Sequence, residues 1–128
     1  MELIVNLLLL LVIGFVIGSE RQSHHKTIGV RSTTLILLGA FTYTYISTMI
    51  GGDPSRIIAQ IVTGVGFIGA GIIFKDGTSN IGNLTTAILI WALSAVGCLI
   101  GLSLHKEAVI ISVVIIIILT VYRYFNKK

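Results

Sequence analysis

Charged side chains are scarce in this sequence. Only 11% of its 128 residues are Asp, Glu, Lys or Arg, whereas a water-soluble domain typically carries about 25%. The apolar share is 55% and the mean hydropathy is +1.01, which leaves too little polar surface to cover a fold in water. The shortage excludes an ordinary soluble domain and indicates that the chain is built for lipid.

Cysteine and proline are almost absent as well. The single cysteine, Cys98, excludes an intrachain disulfide. The sequence has no low-complexity tract, heptad array or solenoid repeat, and its length predicts one domain, residues 1–128. The net charge of +4 does not indicate nucleic-acid binding, because the basic residues lie in short loops and at the C-terminus rather than along one helix face.

Five apolar segments are long enough to cross a bilayer, which takes about 20 residues in a helix. The fifth is rich in β-branched residues, but a lone strand cannot satisfy its backbone in lipid, so a helix is favoured there too. The first is predicted to be an uncleaved helix, because no basic region precedes it. We therefore predict an all-α bundle of five transmembrane helices, segments I to V, at approximately 3–19, 32–50, 56–74, 84–104 and 107–123.

The distribution of Lys and Arg predicts the orientation. Five crossings place the I–II loop, the III–IV loop and the C-terminal tail on one side, with seven basic residues, against two on the other side. Basic loops stay in the cytoplasm. We therefore expect a multi-pass protein of a bacterial plasma membrane, with its N-terminus outside and its C-terminus inside.

Gly64-x-Gly66-x-x-Gly69 has the spelling of a dinucleotide-binding turn. Such a turn needs a preceding strand and an acidic residue about 20 positions later. The glycines lie inside an apolar span, and no acidic residue follows at that distance, so nucleotide binding is excluded.

Helical periodicity gives the glycines another role. In segment III, Ala59, Thr63, Gly66 and Ala70 share one stripe, and Gln60, Gly64 and Gly71 share a second. Small residues let membrane helices pack closely, so two stripes predict two neighbours and a central third helix. Two alternatives remain: glycine is common in membrane helices, and a glycine-rich break could line an ion or substrate site. The predicted packing residues are Gly14, Gly18, Gly64, Gly66, Gly69, Gly71, Thr85, Thr86, Ser94, Gly97 and Gly101.

A few polar residues near the segment ends are candidate functional groups. Glu20 can pair with Arg21 or Arg31, either as an interfacial ion cluster or in a functional site. On the opposite side, Asp53 before Pro54 indicates a helix cap. Asp53 is also a weak candidate ligand for a hard cation. The candidate set is Glu20, Arg21, Arg31, Asp53, Arg56 and Gln60.

No pattern in the sequence predicts catalysis or a cofactor. His24 and His25 are adjacent and lack the spacing of a helical metal pair, and His105 stands alone between segments IV and V. Ser, His and Asp occur without a nucleophile motif. We therefore expect a protein that is not an enzyme and binds no cofactor.

Four stretches together resemble the MgtC/SapB membrane protein family. They are "GSERQ", "GVRSTTLILLGA", "DPSRIIAQIVTGVGFIGAGIIF" and "GNLTTAILIWALSAVGCLIGL", within residues 14–104. The family pattern often has threonine where this chain has Ser32, which keeps the hydroxyl. Many members add a soluble C-terminal domain, and because this chain stops at Lys128 we expect the membrane-only form.

The resemblance implies a role without settling its mechanism. The family is linked to growth in low magnesium, to survival of pathogens in host cells and to inhibition of the proton-driven ATP synthase. A membrane regulator that contacts another membrane protein is one reading, and Mg²⁺ transport by an oligomer is the other. The scarcity of ionisable residues at membrane depth favours the regulator. A homo-oligomer, a dimer through segment I or II, is also expected.

Overall fold

The computed structural model describes residues 1–74 and 82–126, and within these ranges it contains five α-helices and no strand. They are α1 (Glu2–Ser23), α2 (Val30–Met49), α3 (Pro54–Phe74), α4 (Leu84–Gly101) and α5 (His105–Phe125). The predicted all-helical bundle is confirmed. Three of the basic residues that were counted for the orientation, Lys75, Lys127 and Lys128, lie outside the described residues.

Four of these helices are long and apolar enough to cross a membrane: α1, α3, α4 and α5. The second helix has 20 residues, about the length that the hydrocarbon requires. Its Arg31 and many Ser and Thr residues lower its hydropathy, and it does not qualify on composition. Crossing by α2 therefore stays a prediction.

The centre of the bundle is α4. It contacts all four other helices, and 61% of the residues in its span are buried. Three of its side chains, Leu93, Val96 and Ile100, are fully buried against the neighbouring helices. Next to it, α2 lies between α4 and α1 and contributes Leu37 and Phe41 to the same core.

The expectation that the third helix is central does not hold within one chain. Among the described helices only α4 and α2 contact α3, and 6% of its span is buried. The small residues of segment III do share faces of a helix, as predicted. Periodicity shows which residues share a face, but it does not show whether another helix packs against that face. A methyl group added to Gly64, Gly66 or Gly71 would have no described atom within 4 Å, and one on Gly69 would meet Ala87 at 3.6 Å.

The close helix contacts are made instead by glycines of α1 and α4, both against α2. A methyl group on Gly97 would lie 2.7 Å from the Leu37 carbonyl oxygen, and one on Gly101 would lie 2.9 Å from the Phe41 carbonyl oxygen. On the other side, Gly18 lies against the Val30 backbone and Gly14 against Thr34. Glycine lets these backbones touch because a side chain would separate them.

Helix α5 lies at the periphery, where it contacts α4 and α1. Ala108 and Ile115 face the core, while its outer surface is made of large β-branched residues. Its C-terminal end lies beside the C-terminal end of α1, because Arg123 contacts Glu20. The two helices therefore run in the same direction.

Candidate functional site: a charged cluster at one end of the bundle

Arg21 is a buried arginine near the C-terminal end of α1, with only 3% of the residue exposed. Its Nη2 donates a hydrogen bond of 2.9 Å to the Oγ1 of Thr86 in the first turn of α4. Within the described part of the chain, its Nε has no hydrogen-bond partner. The guanidinium therefore links α1 to α4 and keeps unused donor capacity.

The neighbouring residue, Glu20, pairs with α5. Its Oε1 accepts a hydrogen bond from Nη2 of Arg123, and its side chain is 16% exposed. This corrects the expectation that Glu20 pairs with Arg21 or Arg31. The reason is the fold, since the last turn of α5 comes back to the end of α1.

His24 completes the cluster. Its Nδ1 lies 2.8 Å from the Glu20 carbonyl oxygen and its Nε2 contacts Nη1 of Arg123. Because a carbonyl accepts and a guanidinium donates, these contacts assign the proton to Nδ1 and leave Nε2 as the acceptor. The cluster contains one carboxylate and two guanidinium groups, and therefore carries an excess of positive charge.

Glu20 keeps one open position. Its Oε2 is buried and has no hydrogen-bond partner among the residues that the structure describes. A carboxylate oxygen of this kind suits a hard cation, but Arg21 and Arg123 beside it repel cations. The chemistry of the cluster is therefore better suited to holding helix ends together than to binding a metal ion.

The other candidate polar residues lie apart from this cluster. Arg31 and Arg56 are exposed, and neither has an ion pair within the described ranges. Gln60 is exposed on α3 and borders the groove between α2 and α3. The candidate set therefore divides between the two ends of the bundle and the surface of α3.

Asp53 caps the start of α3. Its Oδ1 accepts a 3.0 Å hydrogen bond from the Ser55 amide, and its Oδ2 accepts one of 2.6 Å from the Ser55 hydroxyl. These hydrogen bonds lower the pKa of the Asp53 carboxyl. In the described chain no group of three or more His, Cys, Asp or Glu residues could hold a metal ion.

Neighbouring threonines at the start of α4 differ in environment. Thr86 is 1% exposed and accepts the hydrogen bond from Arg21, whereas Thr85 is exposed. Further along the helix, Ser94 is buried and donates to the Trp91 carbonyl. Asn83 does not cap α4 through its side chain; its Oδ1 accepts a 2.8 Å hydrogen bond from Thr27.

Sequence reasoning missed a second polar pair at the opposite end of α1. Asn6 is fully buried, and its Oδ1 contacts Nε2 of His105, the first residue of α5. Nearby, Glu2 contacts Ser103. One Asn inside an apolar run was a signal, because buried amides in membrane helices need partners. The sequence could not show that His105 is the partner of Asn6, because nearly one hundred residues separate the two.

These features define a class of protein: a multi-pass helical membrane protein whose ends are joined by polar contacts. The family comparison is more specific. The model of the MgtC family matches residues 7–128, and the chain belongs to that family.

Two relatives illustrate the similarity. Protein MgtC of Brucella abortus (strain 2308) is 46% identical over 106 residues, covering 81% of this chain and 44% of the relative. Protein MgtC of Salmonella typhimurium (strain LT2) is 39% identical over 114 residues, covering 88% of this chain and 49% of the relative. The chain thus spans about half the length of these relatives. No solved structure matches it.

Proposed function

We propose that this chain is a membrane regulator in magnesium homeostasis or adaptation to low magnesium, and that it acts by contacting another membrane protein. The observation that carries the proposal is the apolar interior between the two polar ends of α1. Leu10, Ile13 and Ile17 are buried along α1 between Asn6 and Arg21. Opposite them the core is filled by Leu37, Phe41, Leu93 and Val96.

A transport path would need a different interior. Ion pathways place ionisable or hydrated groups at membrane depth, facing a cavity. In the described chain the buried polar groups deep inside are single hydroxyls, such as Thr44 and Ser112, and the buried charge, Arg21, lies near a helix end. The grooves beside α3 are lined mainly by apolar residues and open on the outer surface.

The same arrangement supports the proposed topology. The ends of α1 and α5 that carry Glu20, Arg21 and Arg123 meet, while Asn6 meets His105 at the opposite end. If all five helices cross the membrane, the first and the fifth run in the same direction, as α1 and α5 do. Without a crossing by α2 they would run in opposite directions. With seven of nine basic residues on one side, the C-terminus is proposed to be cytoplasmic and the N-terminus external, in the plasma membrane.

The partner is proposed by class only: a membrane protein. The family resemblance implies the proton-driven ATP synthase as one such partner. The proposal assigns no reaction, cofactor or nucleic-acid ligand to the chain. The alternative function is cation transport by an oligomer, for which the open Oε2 of Glu20 is the specific observation.

Reconstitution in proteoliposomes separates the two functions. An entrapped Mg²⁺ indicator is expected to show no uptake above empty vesicles. In parallel, the tagged chain purified from native membranes at low magnesium should bring one membrane protein in fixed stoichiometry. Magnesium uptake that Glu20→Gln abolishes, and that the exposed-site control Glu107→Gln leaves intact, would overturn the proposal in favour of transport.

A further inference from the structure

Helix α3 has an inverted arrangement of side chains for a helix at the edge of a membrane bundle. On its inner side Val65 and Ile72 pack against the core, while Val62 and Ile68, at the edges of that side, are 44% and 49% exposed. Its outer face carries small and polar residues that are exposed: Arg56, Ala59, Gln60, Thr63, Gly64, Gly66 and Gly71. Among them, Phe67 stands 83% exposed.

The outer face of α5 shows what a lipid-facing surface looks like in the same chain. Its exposed residues are large and β-branched: Ile110, Val113, Val114, Ile117, Ile118 and Val121. The outer face of α1 is similar, with Leu8, Leu11, Val12 and Phe15 exposed. Large apolar residues meet acyl chains and small residues meet other helices, so the outer face of α3 is suited to contact with protein.

The shape of this face is complementary to itself. Phe67 projects from the helix, and the residues three and four positions before and after it are Thr63, Gly64, Ala70 and Gly71. Small residues in a membrane helix let a facing helix approach closely. These four residues surround Phe67 of their own copy, so they leave room beside that ring for the Phe67 ring of a facing copy.

The polar groups on the face are also self-complementary. Gln60 makes no hydrogen bond with any described residue and lies two turns inside the membrane end of α3. An amide carries both donors and acceptors, so the same amide of a second copy can satisfy it. At the helix start, Arg56 and Asp53 carry opposite charges with no ion pair in the described chain, so Arg56 of one copy can meet Asp53 of the other.

From these observations we propose that the chain forms a two-fold homodimer through the outer face of α3. The two Phe67 rings meet side by side between the small residues of both copies, and the two Gln60 amides, seven residues earlier on the same face, bond across the axis, as a symmetric interface requires. The glycines of α1 are already packed against α2, so these small residues are not available to a second copy. In the dimer, α3 lies at the centre of the assembly.

Disulfide cross-linking in native membranes tests the proposal. In a Cys98→Ser background, Phe67→Cys is expected to give an oxidised dimer as its main product. The matched control is Ile118→Cys on the outer face of α5, where the native side chain is 61% exposed; it should give only background cross-linking. Equal or stronger cross-linking at residue 118, or no dimer from residue 67, would overturn the proposal.

Dimer dissociation measured by energy transfer in lipid vesicles gives a second test. Gly64→Leu, which fills the space beside the Phe67 ring, should weaken the dimer about tenfold or more. Loss of the amide bond in Gln60→Leu should weaken it about threefold. Ile118→Leu should leave it unchanged. A Gly64→Leu chain that dimerises as tightly as the wild type, or a monomeric wild type, contradicts the interface, whatever the outcome of the flux and co-purification tests.

Discussion

At the scale of single residues, the buried guanidinium of Arg21 is the group of the described chain that most needs hydrogen-bond partners. It is removed from water at the end of a membrane helix, and its hydrogen bond goes to one hydroxyl, that of Thr86. A buried charged donor that loses its partner destabilises a fold more than a neutral one does. Thr86, which resembled a packing residue in the sequence, therefore fixes the position of α1 against α4.

Replacement of Thr86 by valine tests this role, because valine keeps the shape and removes the hydroxyl. The free energy of unfolding in mild detergent should fall by about 2 kcal/mol, the range for a hydrogen bond to a charged group. Thr85→Val is the matched control, since Thr85 is exposed, and its effect should stay within about 0.5 kcal/mol. Equal effects of the two substitutions would contradict the assigned role of Thr86.

At the scale of helices, backbone contact through glycine decides which elements form the centre. Gly14 and Gly18 of α1 approach one side of α2, and Gly97 and Gly101 of α4 approach the other. Without large side chains at these positions the three helices pack as a close layer, and α4 then reaches every other helix. The glycines of α3 make no comparable contact with the described residues of the same chain, apart from Gly69.

Alanine substitutions should therefore have opposite effects at two glycines. In Gly97→Ala the added methyl would lie 2.7 Å from a backbone oxygen of α2, and overpacking of this kind destabilises by about 1–3 kcal/mol. Gly39→Ala in α2 has no described atom within 4 Å of the new methyl. It should be neutral or stabilise by up to about 1 kcal/mol, because alanine favours the helix.

Thermal unfolding in detergent, followed by circular dichroism, measures both variants against the wild type. A Gly97→Ala chain as stable as the wild type would show that α2 and α4 do not touch at this position. Loss of stability in Gly39→Ala would mean instead that another surface covers that glycine.

At the scale of the whole molecule, polar contacts lie at both ends and apolar packing lies between them. Glu20 and Arg123 join α1 to α5 at one end, and Asn6 and His105 join the same helices at the other. Between these ends the described core along α1 is apolar. An apolar interior together with one small-residue outer face, on α3, is what the proposed function through protein contacts requires.

Cysteine labelling tests the proposed orientation of the molecule. In a Cys98→Ser background, Gly52→Cys should react with a membrane-impermeant maleimide in intact spheroplasts, because it lies in the loop between α2 and α3. Lys26→Cys, in the loop between α1 and α2, should react only after permeabilisation. Both positions are exposed, so their labelling depends on the side of the membrane on which they lie. The reverse labelling pattern would show that the topology is inverted. Labelling of both positions in intact spheroplasts would contradict a crossing by α2.

Helix identity and approximate bounds followed from the sequence, because hydrocarbon leaves the backbone few ways to satisfy its own hydrogen bonds. The start of α3 was also readable, since Asp53-Pro54 is a local signal. Contacts between distant segments were not readable. The sequence indicates only a basic C-terminal end at Arg123 and a lone histidine at position 105, and in the fold both residues contact α1.

Composition and the period of the helix were enough to predict a lipid environment, the helices and the faces along which small residues align. The packing of the five helices was needed to show that α4 is central, that Glu20 meets Arg123 and that no described residue covers the outer face of α3. Periodicity orders residues around one axis, whereas the neighbour of each face depends on how all five axes pack together.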